Sequence, residues 1–469
     1  MKTLFTVFLF LFSYMLNAQD SYQPDKTYSP SQLREDFDIL VQSLQDYHPA
    51  FYEFTDKPSF DKFIQNAKAN LKEEMTEAEF HLEVRKLIAQ MGCGHTIALP
   101  SVAWYKYQNA NPKSLPLMIH LVEDKMYIKY CSSDTSGIYI GKEIIAINDR
   151  KAIEILNKMR EIQQKDGYTQ SFVNATVQRN FSVYHLFLFG PSDTYDLKYK
   201  DANGNEKVMP IKGRKGPKQP TVKINSAFEG KGMRLHYDDD YKDLALLDIN
   251  SFATKEFKKN YKYIFQDLND KQIKHLVIDL RNNGGGYFSN GNLLLSYFLT
   301  EDFEMKFSRS KEKPTKNKNT FLPMSAKLTK MTFNLMPDQD KSDPMRNYAI
   351  KYKPRKKNHF DGNVYVLTNG GSFSMSGLVA TRLKHEGRAT IVGTETGGGE
   401  NGSYAILNQR LNLPNTKVRV LIPHFFLDHD VTPEEKGRGV IPDIMVKETI
   451  EDILSGTDQV LEAVKAEIK

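Results

Sequence analysis

Two glycine-bearing loops hold the residue types from which acyl-transfer chemistry is built. The first is Asp279-Leu-Arg281-Asn-Asn283-Gly284-Gly285-Gly286. Its consecutive glycines let the backbone approach a substrate closely and expose N–H groups. The second is Asn369-Gly370-Gly371-Ser372-Phe373-Ser374-Met375-Ser376-Gly377, which opens directly into a helical pattern. A Ser at a helix N-terminus has backbone N–H groups and a positive dipole end beside it, which suits an oxyanion. Each loop follows an apolar, strand-like run, and that is where open α/β sheets place ligand and catalytic groups.

The same residue types also have purely structural uses. Ser in a Gly-Ser loop is commonly a helix N-cap, 279–286 could be a tight turn, and Arg281 reads as an ion-pair partner. Cys93 stands two residues from His95, but residues so spaced hold no fixed approach geometry, so a thiol nucleophile is not favoured. Asp238-Asp-Asp240 and Asp428-His429-Asp430 lack a metal-ligand spacing and read as solvated turns. Gly397-Gly-Gly399-Glu-Asn-Gly402 formally matches a dinucleotide pattern, yet Ser403-Tyr-Ala-Ile-Leu continues as strand where that pattern demands helix. No paired carboxylates facing one cleft stand out for glycoside chemistry.

Positioning these groups takes several elements. From 29 to 91 the apolar residues recur at helical spacing, with Leu33, Phe37, Leu40, Val41 and Leu44 on one face. Ser29-Pro30-Ser31-Gln32 and Thr76-Glu77-Ala78-Glu79 read as capping boxes, so three helices are expected, in an N-terminal helical domain spanning 25–100. Over 112–215 short alternating runs such as Met126–Tyr130 and Tyr184–Leu188 predict a β-rich module. Within it 140–153, followed by an amphipathic stretch to Met159, resembles the strand-turn-helix passage of a PDZ domain. From 220 to 469, strand-like runs at 244–249, 276–280, 363–367 and 390–392 alternate with helical patterns at 290–299 and 374–384, an α/β layer with crossovers. A Lys-rich segment, about 303–360, reads as a surface insertion.

At 469 residues the chain exceeds one hydrophobic core. Its +6 formal charge comes from 64 basic and 58 acidic residues spread along the whole length, so nucleic acid is not expected as a partner. Lys2, an apolar run over 4–16 and Leu16-Asn17-Ala18 before Gln19 read as a signal peptide over 1–18, predicting export to a periplasm or the medium. That run is short for a membrane span, and no later one is apolar enough, so stable membrane insertion is not expected. The only thiols, Cys93 and Cys131, could pair in such a compartment, but two cysteines do not make a disulfide scaffold.

Taken in order, several segments resemble the tail-specific, or C-terminal processing, serine peptidases, relatives of the tricorn core protease and of interphotoreceptor retinoid-binding protein. They are Gly92-Cys-Gly-His95-Thr96, the PDZ-like passage, Leu244-Ala-Leu-Leu-Asp-Ile-Asn-Ser-Phe252, the 279–286 loop, the Ser374 segment, Val392-Gly-Thr-Glu-Thr-Gly-Gly398 and Gly439-Val-Ile-Pro442-Asp443. The resemblance implies a crotonase-like (ClpP-like) α/β catalytic core, with Ser374 as nucleophile and backbone amides of Met375 and Gly285 or Gly286, with Gly371 nearby, around the oxyanion and substrate. Many bacterial members place a Lys just after the Thr-Gly loop, where this chain has Thr396-Gly-Gly-Gly399-Glu400, and a Glu where it has Gly377. The tricorn-like branch instead implies His95 as base and an acid near the C-terminus, Glu434 or Glu435. Position 93, commonly Asp in relatives, is Cys. The implied function is an exported serine endopeptidase acting on peptides or protein tails, with no cofactor and no metal. The alternative is a non-catalytic binder of peptides or apolar ligands on the same fold.

Overall fold

In the C-terminal half the apolar runs become one seven-stranded sheet, in the order Phe228–Gly230, Met233–Tyr237, Leu244–Ile249, His275–Asp279, Asn363–Thr368, Thr390–Gly393, Ile444–Met445. The chain is seen here in a computed structural model that describes residues 22–132, 137–217, 226–315 and 317–468. The expected signal peptide over 1–18 lies outside the described residues. The first three strands pair antiparallel in succession and the remaining pairs are parallel, with Asp279 beside Leu367 and Leu367 beside Val392.

Parallel strands covered on both faces must be apolar on both, and the sequence meets this with alternate residues. Leu276, Ile278, Val364, Val366 and Ile391 enter the main core, while Val277, Tyr365, Leu367 and Val392 enter a second core with Val460 and Val464 of the helix Gln459–Ile468. The crossover helix Phe257–Asp270 buries Phe257, Asn260, Tyr261, Ile264, Phe265 and Leu268, the i, i+3, i+4, i+7 spacing of a single stripe. Fully burying each large apolar side chain contributes roughly 1.5–3 kcal/mol. The helices Phe288–Leu295 and Met375–His385 cover the same core.

The N-terminal helices are Pro30–Tyr47, Lys57–Ala69 and Glu77–Gln90, and both capping boxes form, Ser29 with Gln32 and Thr76 with Glu79. Their core is completed from far along the chain by Leu411, Leu413, Val418, Val420 and Ile422. The strand Ile97–Leu99 pairs with Arg419–Ile422, and buried Asp36 accepts from the N–H groups of Asn415 and Thr416. Helical periodicity reports only near neighbours in sequence, so it could not show this partner.

The middle region holds the hairpin Leu117–Val122 with Lys125–Cys131 and a four-stranded sheet ordered Arg150–Lys151, Ile144–Ile147, Thr194–Lys200, Glu206–Lys212. Two helices, Ala152–Glu161 and Gln170–Phe189, pack with them. Residues 184–188, expected as strand, are the last turns of the second helix. Phe172, Val173, Val177, Phe181, Ser182, Tyr184 and His185 are its buried positions, and over five residues alone a helical stripe cannot be told from alternation.

The expected surface insertion also differs. Its flanking strands Phe303–Ser310 and Met345–Tyr352 pair with each other, the first also pairs with Phe425–Asp428, and Phe303, Met305, Phe307 and Tyr348 lie in the main core. Exposure is concentrated on its helix Met324–Leu335, where Met324, Leu328, Met331 and Leu335 face solvent. Of the expected solvated turn at 428–430, His429 is buried, its Nδ1 at 2.9 Å from the Glu400 carbonyl.

Candidate active site

Three adjacent parallel strands deliver the site. His275–Asp279 runs into the loop 280–287, Asn363–Thr368 into 369–374, and Thr390–Gly393 into 394–401. The middle loop is fixed by its own polar side chains. Asn369 Oδ1 accepts from the N–H groups of Gly371 and Asn282, each at 2.9 Å. Ser372 Oγ donates to the Leu280 carbonyl at 2.8 Å and accepts from Asn369 N–H. Phe373 N–H donates to the Asn283 carbonyl.

The chain enters the helix Met375–His385 through Ser374, held at φ +57° and ψ −120°. Residues other than Gly take this region at a cost of about 1–3 kcal/mol, and the surroundings must impose it. The Ser374 side chain caps no helix N–H, so the commonest structural use of such a serine is absent. Against it lies Gly285, at φ +95°. A Cβ there would stand 2.8 Å from Ser374 Cβ and 2.9 Å from Met375 N, so only glycine fits. Asn283, fully buried, braces the pair: its Oδ1 accepts from Gly285 N–H at 2.9 Å and its Nδ2 donates to the Ile249 carbonyl at 2.7 Å.

Of the amides expected around an oxyanion, those of Gly285 and Gly371 are thus already donated, to Asn283 and Asn369. Among the described residues no acceptor takes the N–H of Met375 or Gly286. Gly371 packs on Asn282 and Arg179 instead of on Ser374. Arg281 forms ion pairs with Asp279 and Asp458 at 2.7 and 2.6 Å, a clamp behind the sheet end.

His95 is half-buried and stacks on Phe373, centroids 4.6 Å apart, and Phe373 stacks in turn on Phe172 at 4.4 Å. The imidazole therefore rests on the residue preceding Ser374. Among the described residues no hydrogen bond joins it to the serine hydroxyl, and its Nδ1 is buried without a partner. Burial lowers its pKa to about 4, so it is neutral at neutral pH, the form a general base needs.

Glu434 and Glu435 are exposed, Glu435 pairs with Arg438 at 3.3 Å, and neither bonds to His95. Glu400, in the Thr396–Glu400 stretch where no Lys stands, is buried and paired with His385 of the helix Met375–His385 at 3.0 Å. Cys93 and Cys131 are free and buried, and burial pushes the Cys93 thiol up to about 12.

One residue beside His95 carries no sequence signal. Asp166, 4% exposed, reaches the loop from the connection between Ala152–Glu161 and Gln170–Phe189, and its Oδ1 accepts from Gly94 N–H at 2.6 Å. Gln163-Gln-Lys-Asp166-Gly167 has the composition of any polar connection, and only the folded chain shows that it is buried.

The chain has recognisable relatives. A family model, Peptidase family S41, matches residues 243–446. The chain is 24% identical over 249 residues to the carboxy-terminal-processing protease of Bartonella bacilliformis, covering 51% of this chain and 46% of that one. It is 23% identical over 259 residues to the carboxy-terminal processing protease CtpB of Bacillus subtilis, covering 52% and 45%. The chain spans about half the length of these curated relatives. Mature CPAF, solved in complex with lactacystin, is similar in fold, with a TM-score of 0.68 at 16% identity over 93% of this chain and 98% of that one. From the third strand of the core sheet to its last, over residues 243–446, the chain carries a domain of peptidase family S41.

Proposed function

We propose that the chain is an exported serine peptidase of the Ser-His kind, cleaving peptides or protein tails. The observation that carries this reading is the Ser374 elbow: a serine in a strained backbone conformation, capping nothing, with Gly285 against its Cβ and an undonated Met375 amide beside it. Ser374 Oγ attacks the scissile carbonyl carbon as its proton passes to His95 Nε2. The N–H groups of Met375 and Gly286 hold the oxyanion. Collapse of the intermediate breaks the C–N bond, the amine leaves with the proton from His95, and water then hydrolyses the ester by the same route. His95 must first leave its stack on Phe373. Since it stands between the N-terminal helices and the core sheet, closure between these parts is a natural gate. Glu434 or Glu435 can steady the imidazole only if it turns inward, because both face solvent here.

The middle region acts as a PDZ-like module on a crotonase-like core. Supporting this, an 880 Å³ groove runs between the strand Leu117–Val122 and the helix Gln170–Phe189 toward Asn282 and Asn369. Gln178 already accepts the strand's Leu121 N–H at 2.7 Å, as an added peptide strand would. No helix among the described residues is long and apolar enough to cross a membrane.

The second reading, a non-catalytic binder of peptides or apolar ligands, is favoured by one observation, the absence of a His95–Ser374 hydrogen bond. Fluorophosphonate labelling decides between the two. The wild type labels under the peptidase reading, and Ser374→Ala and His95→Ala do not. A wild type that stays unlabelled, with peptide binding intact, supports the binder.

A further inference from the structure

The connection 162–171 is fastened to the loop that carries His95, to the loop 394–401 and to the segment at Gly437. Gly167 N–H donates to the Gly92 carbonyl and Tyr168 N–H to the Gly437 carbonyl, at 2.9 and 2.7 Å. Thr169 Oγ1 and Ser171 Oγ donate to the carbonyls of Gly397 and Thr396. Phe172, the next residue, is the outer ring of the stack that holds His95. This connection therefore holds Asp166 in a fixed place relative to both Ser374 and His95.

Two polar atoms at this place are left over. Asp166 Oδ1 is engaged by Gly94 N–H, but Oδ2 is buried without a partner, and so is Nδ1 of His95, the residue after Gly94. One is an acceptor and the other a potential donor. Buried polar groups are almost always satisfied, so each unsatisfied one calls for an explanation. Glu395 and Glu400, the buried acids on the neighbouring loop, are committed to Arg438 and His385.

We propose that Asp166 is the positioning residue for His95, its Oδ2 accepting the Nδ1–H once the imidazole leaves Phe373 and turns Nε2 toward Ser374, so that Glu434 and Glu435 are dispensable. The inference rests on the peptidase reading. The carboxylate fixes the tautomer with its proton on Nδ1 and its lone pair on Nε2, and it stabilises the imidazolium formed when the serine proton arrives. Burial pushes the Asp166 carboxyl up to about 7, opposed by the Gly94 and Gly399 amides, and the imidazolium formed in the reaction favours its ionised form further. The other titratable or charged groups around it are Cys93 on the His95 loop, Tyr404 across it, and the Glu53–Lys436 ion pair at the rim of the adjoining 320 Å³ cavity.

The test reads His95 directly, by ¹⁵N-histidine NMR of the full chain against pH, beside the pH dependence of fluorophosphonate labelling. In the wild type the neutral imidazole should be the Nδ1–H tautomer; an Nε2–H tautomer overturns the proposal without any variant. In Asp166→Asn the His95 midpoint and the rising limb of labelling should both move down by about one pH unit, and the plateau should fall about 100-fold. Glu434→Gln with Glu435→Gln should change neither. A general loss of folding would lower the plateau and leave the midpoint in place. A midpoint unmoved by Asp166→Asn, or moved by the Glu pair instead, overturns the assignment. A wild type that does not label while its His95 midpoint still follows Asp166 refutes the peptidase reading and supports the pairing.

Discussion

The loop 369–374 and the loop 92–96 each offer one reactive side chain, but they are held in opposite ways. Around Ser374 the polar groups of Asn283, Asn369 and Ser372 are all bonded, and Gly285 packs directly against Ser374 Cβ and the Met375 amide. Around His95, Nδ1 of the imidazole, Oγ1 of Thr96 and Oδ2 of Asp166 lack partners among the described residues, and the imidazole rests on the ring of Phe373. A fully bonded loop has one arrangement. A loop with unpaired buried polar atoms has a reason to adopt a second, and the comparison teaches that the Ser374 loop is preformed while the His95 loop has room to rearrange, as the proposed peptidase reading requires.

The sharpest way to break this contrast is Gly285→Ala. The added Cβ meets Phe373 O, Ser374 Cβ and Met375 N, all within 2.9 Å, at a backbone φ of +95°. No far end of a flexible side chain can yield there. Labelling of Ser374 should fall by about 100-fold or more, and stability should drop by about 1–3 kcal/mol, read by urea unfolding. If labelling keeps its wild-type rate, the Ser374 loop is not preformed and the contrast fails.

Acid should separate the two sides next. His48 and His81 on the N-terminal helical side have pKa values lowered to about 3, and His95 to about 4, desolvation being the leading cause in each. For a base whose native pKa is depressed, the unfolded chain binds more protons between the native value and about 6.5. The stability these residues contribute is present above pH 6.5 and is lost as pH falls toward 4. Each costs about 1.4 kcal/mol per pH unit in that window. Hydrogen exchange at pH 7 and pH 5 should show helices Pro30–Tyr47 and Glu77–Gln90 losing protection before the core strands His275–Asp279 and Asn363–Thr368. Equal loss in both would mean that the two sides unfold as one unit.

How far the sequence reached depends on how local each signal was. The Ser374 and 279–286 loops could be read because strand, glycine run and helix start lie within about ten residues. The capping boxes were legible for the same reason, each spanning four residues. What could not be read depended on distance. The hairpin that completes the N-terminal core comes from 411–422, over 300 residues beyond the helices it packs on. Asp166 touches Gly94 across 72 positions, and neither a polar connection nor a lone Asp reveals burial. Residues 184–188 failed differently, since Tyr184 and His185 belong to a stripe that begins at Phe172 and five residues cannot display a 3.6-residue period.

The smallest expected effect tests what holds His95 in place. Phe172 backs Phe373, which backs His95, and Phe172 is itself only 9% exposed. Phe172→Leu keeps an apolar side chain but removes the outer ring, at a cost of about 1 kcal/mol from the lost ring pair and little else. If the stack merely parks the imidazole, loosening it lets His95 reach Ser374 more often, and labelling should rise by a few-fold even as the melting temperature falls. If the stack belongs to the working arrangement, labelling should fall together with stability. The sign of that one change tells whether the waiting base is restrained by the rings or supported by them.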